Sequence, residues 1–338
     1  MRFLKGLLFF VVALIAALVV IAFFLPKTAH VERTVTIARP ASQVFGVLNN
    51  LHRFNAWSPW FDLDPQAKYT YSGADAGVGA KVNWAGNKDV GSGSQEIVES
   101  KPNTFLKVQL DFGDMGRPVA AFNLAPAGEG TAVTWTLDQS FEGSLVGRYF
   151  GLMLDSMVGK DYDKGLAKLK TLVESFPAAE ISGVRGEVID LGAQKIYFVS
   201  GGPVMDDAAA KDVLTAAYGQ IGLFLATNKL TMQAPPLTIT TSYDKTSGWK
   251  FDAAIVVAAN DVPPTGDIKA GTTYAGKAVQ FTHVGGYDKI GDTVMKAYAW
   301  LAVQGLKPKD RLIEEYVSDP GNTPVDQLQT RIKIPVES

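Results

Sequence analysis

The 338-residue chain predicts an α+β protein in three parts: an N-terminal transmembrane helix, a helix-grip domain in which an antiparallel sheet wraps one long helix, and a duplicated βαββ domain. Three observations carry this. Residues 6–25 contain no charge, residues 31–175 read as short strands closed by a long amphipathic helix, and the last half repeats one strand–glycine turn–helix–strand–strand pattern twice.

The uncharged stretch is 20 residues of mostly Leu, Phe, Val, Ala and Ile. As a helix it measures about 30 Å, the thickness of a hydrocarbon core. Signal peptides have shorter apolar cores, of about 7–15 residues, and small residues at the cleavage site. Here the run ends Phe23-Phe24-Leu25-Pro26-Lys27, so residues 1–27 are read as a retained anchor with a cleaved signal as the alternative. Arg2 and Lys5 precede the helix, whereas Lys27 and Arg33 beyond it are partly offset by Glu32. The positive-inside rule then places the N-terminus in the cytoplasm and the rest outside it, in the periplasm of a Gram-negative cell.

Composition narrows the chemistry. With no cysteine, disulfides, thiol catalysis and cysteine-bound metals are excluded, and three histidines cannot build a histidine-rich metal site. Residues 31–178 carry 14 Lys/Arg against 16 Asp/Glu, and residues 179–338 carry 15 against 18, so neither half has the basic surplus that nucleic acid requires. Walker, Rossmann and serine-hydrolase motifs are absent, and no cofactor is expected.

In residues 28–175, an alternating strand at 31–37 meets Arg39-Pro40, and Ser42 is expected to cap a short helix carrying Val44, Phe45, Val47, Leu48 and Leu51. An aromatic loop follows, then six strand-like runs centred near Tyr69, Val82, Ile97, Val108, Phe122 and Val133. The closing helix, 145–174, presents Phe150, Leu154, Met157, Val158, Leu166, Leu169 and Val173 as its apolar stripe. A bent sheet cannot close completely on one helix, and the gap becomes a pocket. Trp60, Trp84, Trp135, Met153 and Met157 are candidates to line it, with packing in the core as the competing reading. His52 falls on a short second helix in a surface or capping position.

The opening Arg39-Pro40-Ala41-Ser42-Gln43-Val44-Phe45, followed by Phe54-x-x-Trp57-Ser58-Pro59-Trp60, resembles the START-like, polyketide-cyclase-like superfamily (SRPBCC) across this whole segment. The resemblance implies a helix-grip fold that holds lipids, polyketides or other apolar molecules, with only some members being enzymes.

Residues 176–182 read as a linker, and 183–338 hold the repeat. The first copy comprises a strand at 194–199, Gly201-Gly202-Pro203, a helix at 206–227 and strands at 237–243 and 249–257. The second comprises a strand at 277–283, Gly285-Gly286-Tyr287, a helix at 288–305 and strands at 312–317 and 327–334. The two copies are expected to pair about a pseudo-twofold axis and leave a groove at the junction. Along 312–317, alternation puts Glu314 and Tyr316 on the groove side and Glu315 on the solvent side.

The motifs His283-x-Gly285-x-Tyr287, Glu314-x-Tyr316 with Asp319-Pro320, and Leu328-x-Thr330-x-Ile332-x-Ile334-Pro335 resemble the gyrase-inhibitor-like (GyrI-like) effector-binding domain found in AraC-type and MerR-type regulators. The resemblance implies an aromatic-lined pocket in which Glu314 contacts ligands, often lipophilic cations; in some stand-alone members it implies hydrolysis of strained electrophiles. Tyr316, Tyr287, Trp249 and Trp300 are the candidate aromatic faces around it. Ile313 stands where an aromatic residue is common, and no helix-turn-helix accompanies the domain. His283 is open between a structural and a functional role.

Three functions follow as expectations. The first is a membrane-anchored protein with two pockets for hydrophobic or lipophilic-cationic small molecules, Glu314 being the charged pocket residue. The second is a hydrolase or cyclase using Glu314 as general acid–base, and the third is a ligand-sensing module acting on a protein partner.

Overall fold

A computed structural model describes residues 2–309 and 311–337. It divides into two compact units, Met1–Glu180 and Ile181–Ser338. The first begins with helix α1 (Arg2–Phe24). Among the described residues α1 is the one helix long and apolar enough to cross a membrane, a property that signal sequences share.

Strand β1 (Thr28–Ile37) is followed by α2 (Ala41–Leu48), two 3₁₀ helices at Leu51–Ala56 and Phe61–Leu63, and strands β2 to β7 at Lys68–Gly73, Ala80–Ala85, Ser92–Lys101, Phe105–Asp111, Val119–Ala127 and Gly130–Ser140. The strands form a seven-stranded antiparallel sheet in the order β1-β7-β6-β5-β4-β3-β2. Each of β2 to β7 pairs with its neighbour in sequence, and β1 closes onto the last strand, Thr28 opposite Ser140 and Ile37 opposite Thr131. Helix α3 (Leu145–Glu174) starts at Ser144, whose hydroxyl accepts from the Gly147 N–H at 2.9 Å.

Both ends of α3 are fastened. At its C-terminus the Arg39 guanidinium donates to the carbonyl oxygens of Glu174 and Phe176, neutralising unpaired groups at the negative end of the helix dipole. The Glu174 carboxylate returns the contact, accepting from the Ala38 N–H at 2.7 Å. This explains Arg39-Pro40 in the sequence: the arginine caps α3 while Pro40 is the residue before α2. Ser42 was expected to be that cap. It lies inside the helix and is buried, because Pro40 already fixes the backbone one residue ahead of Ala41.

The second unit contains β8 (Glu187–Leu191), β9 (Lys195–Val204), α4 (Asp207–Thr227), β10 (Leu237–Asp244), β11 (Gly248–Val256), β12 (Ile268–Thr272), β13 (Gly276–Val284), α5 (Ile290–Gln304), β14 (Leu312–Tyr316) and β15 (Gln329–Pro335). They form one eight-stranded sheet, β12-β9-β11-β10-β14-β15-β13-β8. The two copies meet at its centre, where β10 pairs antiparallel with β14. The sequence reading omitted β8 and β12. Each leads one repeat yet pairs with the other repeat's edge, β8 on β13 and β12 on β9. The expected glycine turn lies inside β9, where the ladder with β11 shifts register, and the glycine is obligatory there: Gly202 has φ +89°, and a Cβ would lie 2.3 Å from the Trp249 carbonyl oxygen.

Alternation along the strands separates two cores. Tyr197, Val199, Phe251, Ala253 and Ile255 pack under α4, and Val279, Phe281, Leu312, Ile332 and Ile334 under α5. The residues between them, Ile196, Leu237, Ile239, Ala254, Val256 and Ile313, form a third buried cluster on the opposite face. The central strands are thus covered on both faces.

Candidate functional site

Strand β14 carries Glu314 between Thr238 of β10 and Ile332 of β15. Because β14 is covered on both faces, both glutamates are buried, Glu314 at 7% exposure and Glu315 at 6%. The expected solvent-side position of Glu315 is therefore corrected. Its carboxylate is compensated by two cations of β15, with Arg331 Nη1 and Lys333 Nζ each 3.0 Å from Oε2.

Glu314 has no such pairing. Among the described residues its one hydrogen-bond donor is the Tyr316 hydroxyl, 2.9 Å from Oε2. Tyr316 Oη is also 3.1 Å from Thr238 Oγ1, which is 3.0 Å from Tyr218 Oη. Each hydroxyl owns one proton, so the arrangement that donates to the carboxylate runs from Tyr218 through Thr238 and Tyr316 to Glu314. Tyr287 closes the group, its ring edge-on to Tyr316 with centroids 5.4 Å apart. Burial pushes the Glu314 carboxyl up to about 6, opposed by the Tyr316 hydrogen bond. The Tyr316 and Tyr218 hydroxyls are also raised, first by burial and then by charged and polar neighbours that include Glu314.

Of the candidates, the structure brings Glu314, Tyr316 and Tyr287 together. Trp249 stands farther along: its indole donates to Thr240 Oγ1 at 2.9 Å, and its ring packs on Phe251. Trp300 is corrected, because it packs edge-on to Phe281 and beside Gly186 in the core under α5. Tyr218 was missed; it comes from α4, in the other repeat. His283 is structural in its geometry: Nε2 faces the Gly286 carbonyl at 3.1 Å and Nδ1 faces Thr293 Oγ1 at 2.8 Å. Since a carbonyl only accepts, Nε2 carries the proton and Nδ1 accepts from the threonine. Among the described residues no group of three His, Asp or Glu side chains is placed to hold a metal ion.

In the first unit, Trp135 stacks on Tyr162 at 3.6 Å and on Phe122 at 5.2 Å, with Trp57 and Trp60 edge-on to it. The Trp60 indole donates to Asp161 at 3.2 Å. These rings fill one another's space, so Trp60 and Trp135 belong to a packed aromatic core. Trp84 is apart from them, against Phe112. Met153 and Met157 are corrected too, being 55% and 57% exposed on the outside of α3. Trp57 and Trp135 are buried with their indole N–H groups unpaired. Two surface depressions of this unit have mixed polar and apolar walls, one of about 210 Å³ beside His52, Tyr71 and Lys81 and one of about 360 Å³ between Glu96, Gln109 and Arg117.

The two domains match families of small-molecule-binding proteins. Residues 28–174 match the family of polyketide cyclases/dehydrases and lipid transport proteins, and residues 187–337 match the GyrI-like small molecule binding domain. Each match spans one of the two units, so the chain is a fusion of two domains, one matching each family. No curated protein matches it. Similar solved structures include an uncharacterized conserved protein from Listeria innocua (17% identity, 45% of this chain, 92% of that one, TM-score 0.36). The C-terminal domain of EcmrR is 20% identical over 46% of this chain and 98% of its own, with a TM-score of 0.41. The Aha1 dimer from Colwellia psychrerythraea is 17% identical over 43% and 96%, with a TM-score of 0.32.

Replacing Tyr316 by phenylalanine removes the donor to Glu314 and leaves the ring. The carboxyl is expected to titrate above its wild-type position, and affinity for a test cation at neutral pH to fall about 10- to 150-fold, the worth of one hydrogen bond to a charged group. The pH dependence of ligand binding in Tyr316→Phe checks both.

Proposed function

We propose that the second unit binds lipophilic cations at Glu314, that the first holds an apolar molecule, and that α1 is a retained anchor keeping both at a membrane with the N-terminus cytoplasmic. One observation carries the ligand class: of two adjacent buried glutamates, Glu315 has two basic partners and Glu314 has none. A desolvated carboxylate either takes up a proton or recruits a cation. Three tyrosines around it supply π-faces for that cation. For the first unit the support is the match of residues 28–174 to a family that includes lipid transport proteins.

Two ions of the same shape and opposite charge test this. Tetraphenylphosphonium is expected to bind the full chain at least about tenfold more tightly than tetraphenylborate, a difference of about 1.4 kcal/mol or more. Equal affinity, or preference for the anion, would mean that an apolar surface and not Glu314 selects the ligand.

A second reading, acid–base turnover at Glu314, is favoured by the hydroxyl relay ending on a carboxyl pushed up to about 6. Turnover that disappears in Glu314→Gln while ligand still binds would select it.

A further inference from the structure

The last carbonyls of a helix lack partners within it. In α1 they find them on α3. Arg148 Nη1 donates to the Ala22 oxygen at 2.9 Å and lies 3.4 Å from the Phe23 oxygen; one turn earlier, where the helix still pairs its own carbonyls, the Tyr149 hydroxyl adds a second donor to the Leu18 oxygen at 2.6 Å. Arg148 is buried, and as a cation at the C-terminal end of α1 it also opposes the helix dipole. The first turn of α3 is therefore docked on the last two turns of α1. Leu18 stands six residues before Phe24, about 9 Å along the axis.

The outer face of α3 changes character with distance from this junction. Val146, Phe150, Met153 and Met157 recur at spacings of four, three and four and form one row. All are exposed, between 55% and 68%. The row lies away from Tyr162, Leu166, Leu169 and Val173, which are buried against the sheet. Farther along, the same row continues as Lys160, Lys164 and Lys168, the last two holding Asp62. The helix face is thus apolar where it adjoins α1 and basic beyond.

We propose that the N-terminal half of α3 is seated in the lipid interface, with Val146, Phe150, Met153 and Met157 immersed in the leaflet where α1 ends. The inference rests on the reading of α1 as a membrane span. Given that span, the hydrogen bonds to Leu18, Ala22 and Phe23 fix the start of α3 at the depth of the leaflet boundary. An apolar row at that depth meets acyl chains, and the exposed Lys160, which comes next along it, reaches the anionic headgroups. The first unit then sits on the bilayer as a peripheral domain, its aromatic core under a helix that touches lipid.

The chain has no cysteine, so single introduced cysteines give unique labels. An environment-sensitive fluorophore is placed on Met153→Cys, on Phe9→Cys within α1, and on Lys88→Cys in the exposed loop between β3 and β4, each in the full chain reconstituted into phosphatidylcholine–phosphatidylglycerol vesicles. Quenching by lipids brominated on the acyl chains is then measured. The Phe9 and Met153 labels are expected to be quenched and the Lys88 label not. Quenching at Phe9 without quenching at Met153, whether that label reports water or a protein surface, overturns the proposal and leaves the anchor standing. No quenching at Phe9 shows that α1 is not a span, and the proposal falls with it.

Discussion

Glu314→Gln is expected to weaken binding of tetraphenylphosphonium by roughly 30- to 1,000-fold at pH 7.5, corresponding to about 2–4 kcal/mol for losing one member of a desolvated charge pair. Glutamine keeps the shape and the hydrogen bond from Tyr316 but carries no charge. The same substitution is expected to change the pH dependence of stability in a definite direction. The Glu314 carboxyl titrates near 6 in the folded protein and near 4.5 when unperturbed. The unfolded chain therefore releases its proton first, and stability falls as pH rises between those values, by about 2 kcal/mol in the ligand-free protein. Below the lower value nothing is lost. Glu314→Gln should lack this decline, so urea unfolding at pH 7.5 should find the variant more stable than wild type and nearly equal to it at pH 4. A variant less stable than wild type at pH 7.5 would show that the carboxylate is compensated after all.

The neighbouring residue is expected to behave in the opposite way. Glu315→Ala leaves Lys333, whose side chain is only 15% exposed, without its counter-charge. Removing one partner of a buried pair costs about 3–5 kcal/mol, and the more accessible Arg331 lowers the estimate to about 3 kcal/mol here. Urea unfolding at pH 7 measures the loss. The double variant Glu315→Leu/Lys333→Met, which replaces the pair by apolar groups, is expected to recover most of it. Cation affinity should stay within about twofold of wild type in both, because the side chain lies on the other face of the sheet. A large loss of affinity in Glu315→Ala would place both carboxylates in the ligand site.

The contrast between these two residues also marks how far the sequence could be read. Alternation along 312–317 assigns Glu314 and Glu315 to opposite faces, because strand geometry is local. It cannot say whether the second face is covered. That cover is the cluster of Ile196, Leu237, Ile239, Ala254, Val256 and Ile313, assembled from both repeats. Strands β8 and β12 were invisible for a related reason: each has five residues, and Ile268-Lys269-Ala270-Gly271-Thr272 has little strand character until the edge of β9 supplies its partner. Tyr218 offered no signal at all. A tyrosine on an amphipathic helix looks like any other interfacial residue until the pairing of β10 with β14 brings its partner Thr238, 3.0 Å away in the same repeat, against Tyr316 and Glu314 of the other. On α3, the apolar positions were legible but their destination was not. Leu166, Leu169 and Val173 face the sheet, whereas Phe150 and Met157 point outward; at 100° per residue the two groups lie on opposite sides of the helix, so the single stripe read from the sequence is in fact two rows.

Proton-linked binding tests the central claim, that Glu314 is a buried carboxylate awaiting a cation. Tetraphenylphosphonium is titrated calorimetrically into the full chain between pH 5 and pH 7.5, for wild type and Glu314→Gln. In wild type, affinity should be flat above the carboxyl's value of about 6 and fall toward tenfold per pH unit below it, with protons released on binding. The variant should bind weakly at every pH. Affinity that is independent of pH in wild type, or unchanged in the variant, would contradict the claim.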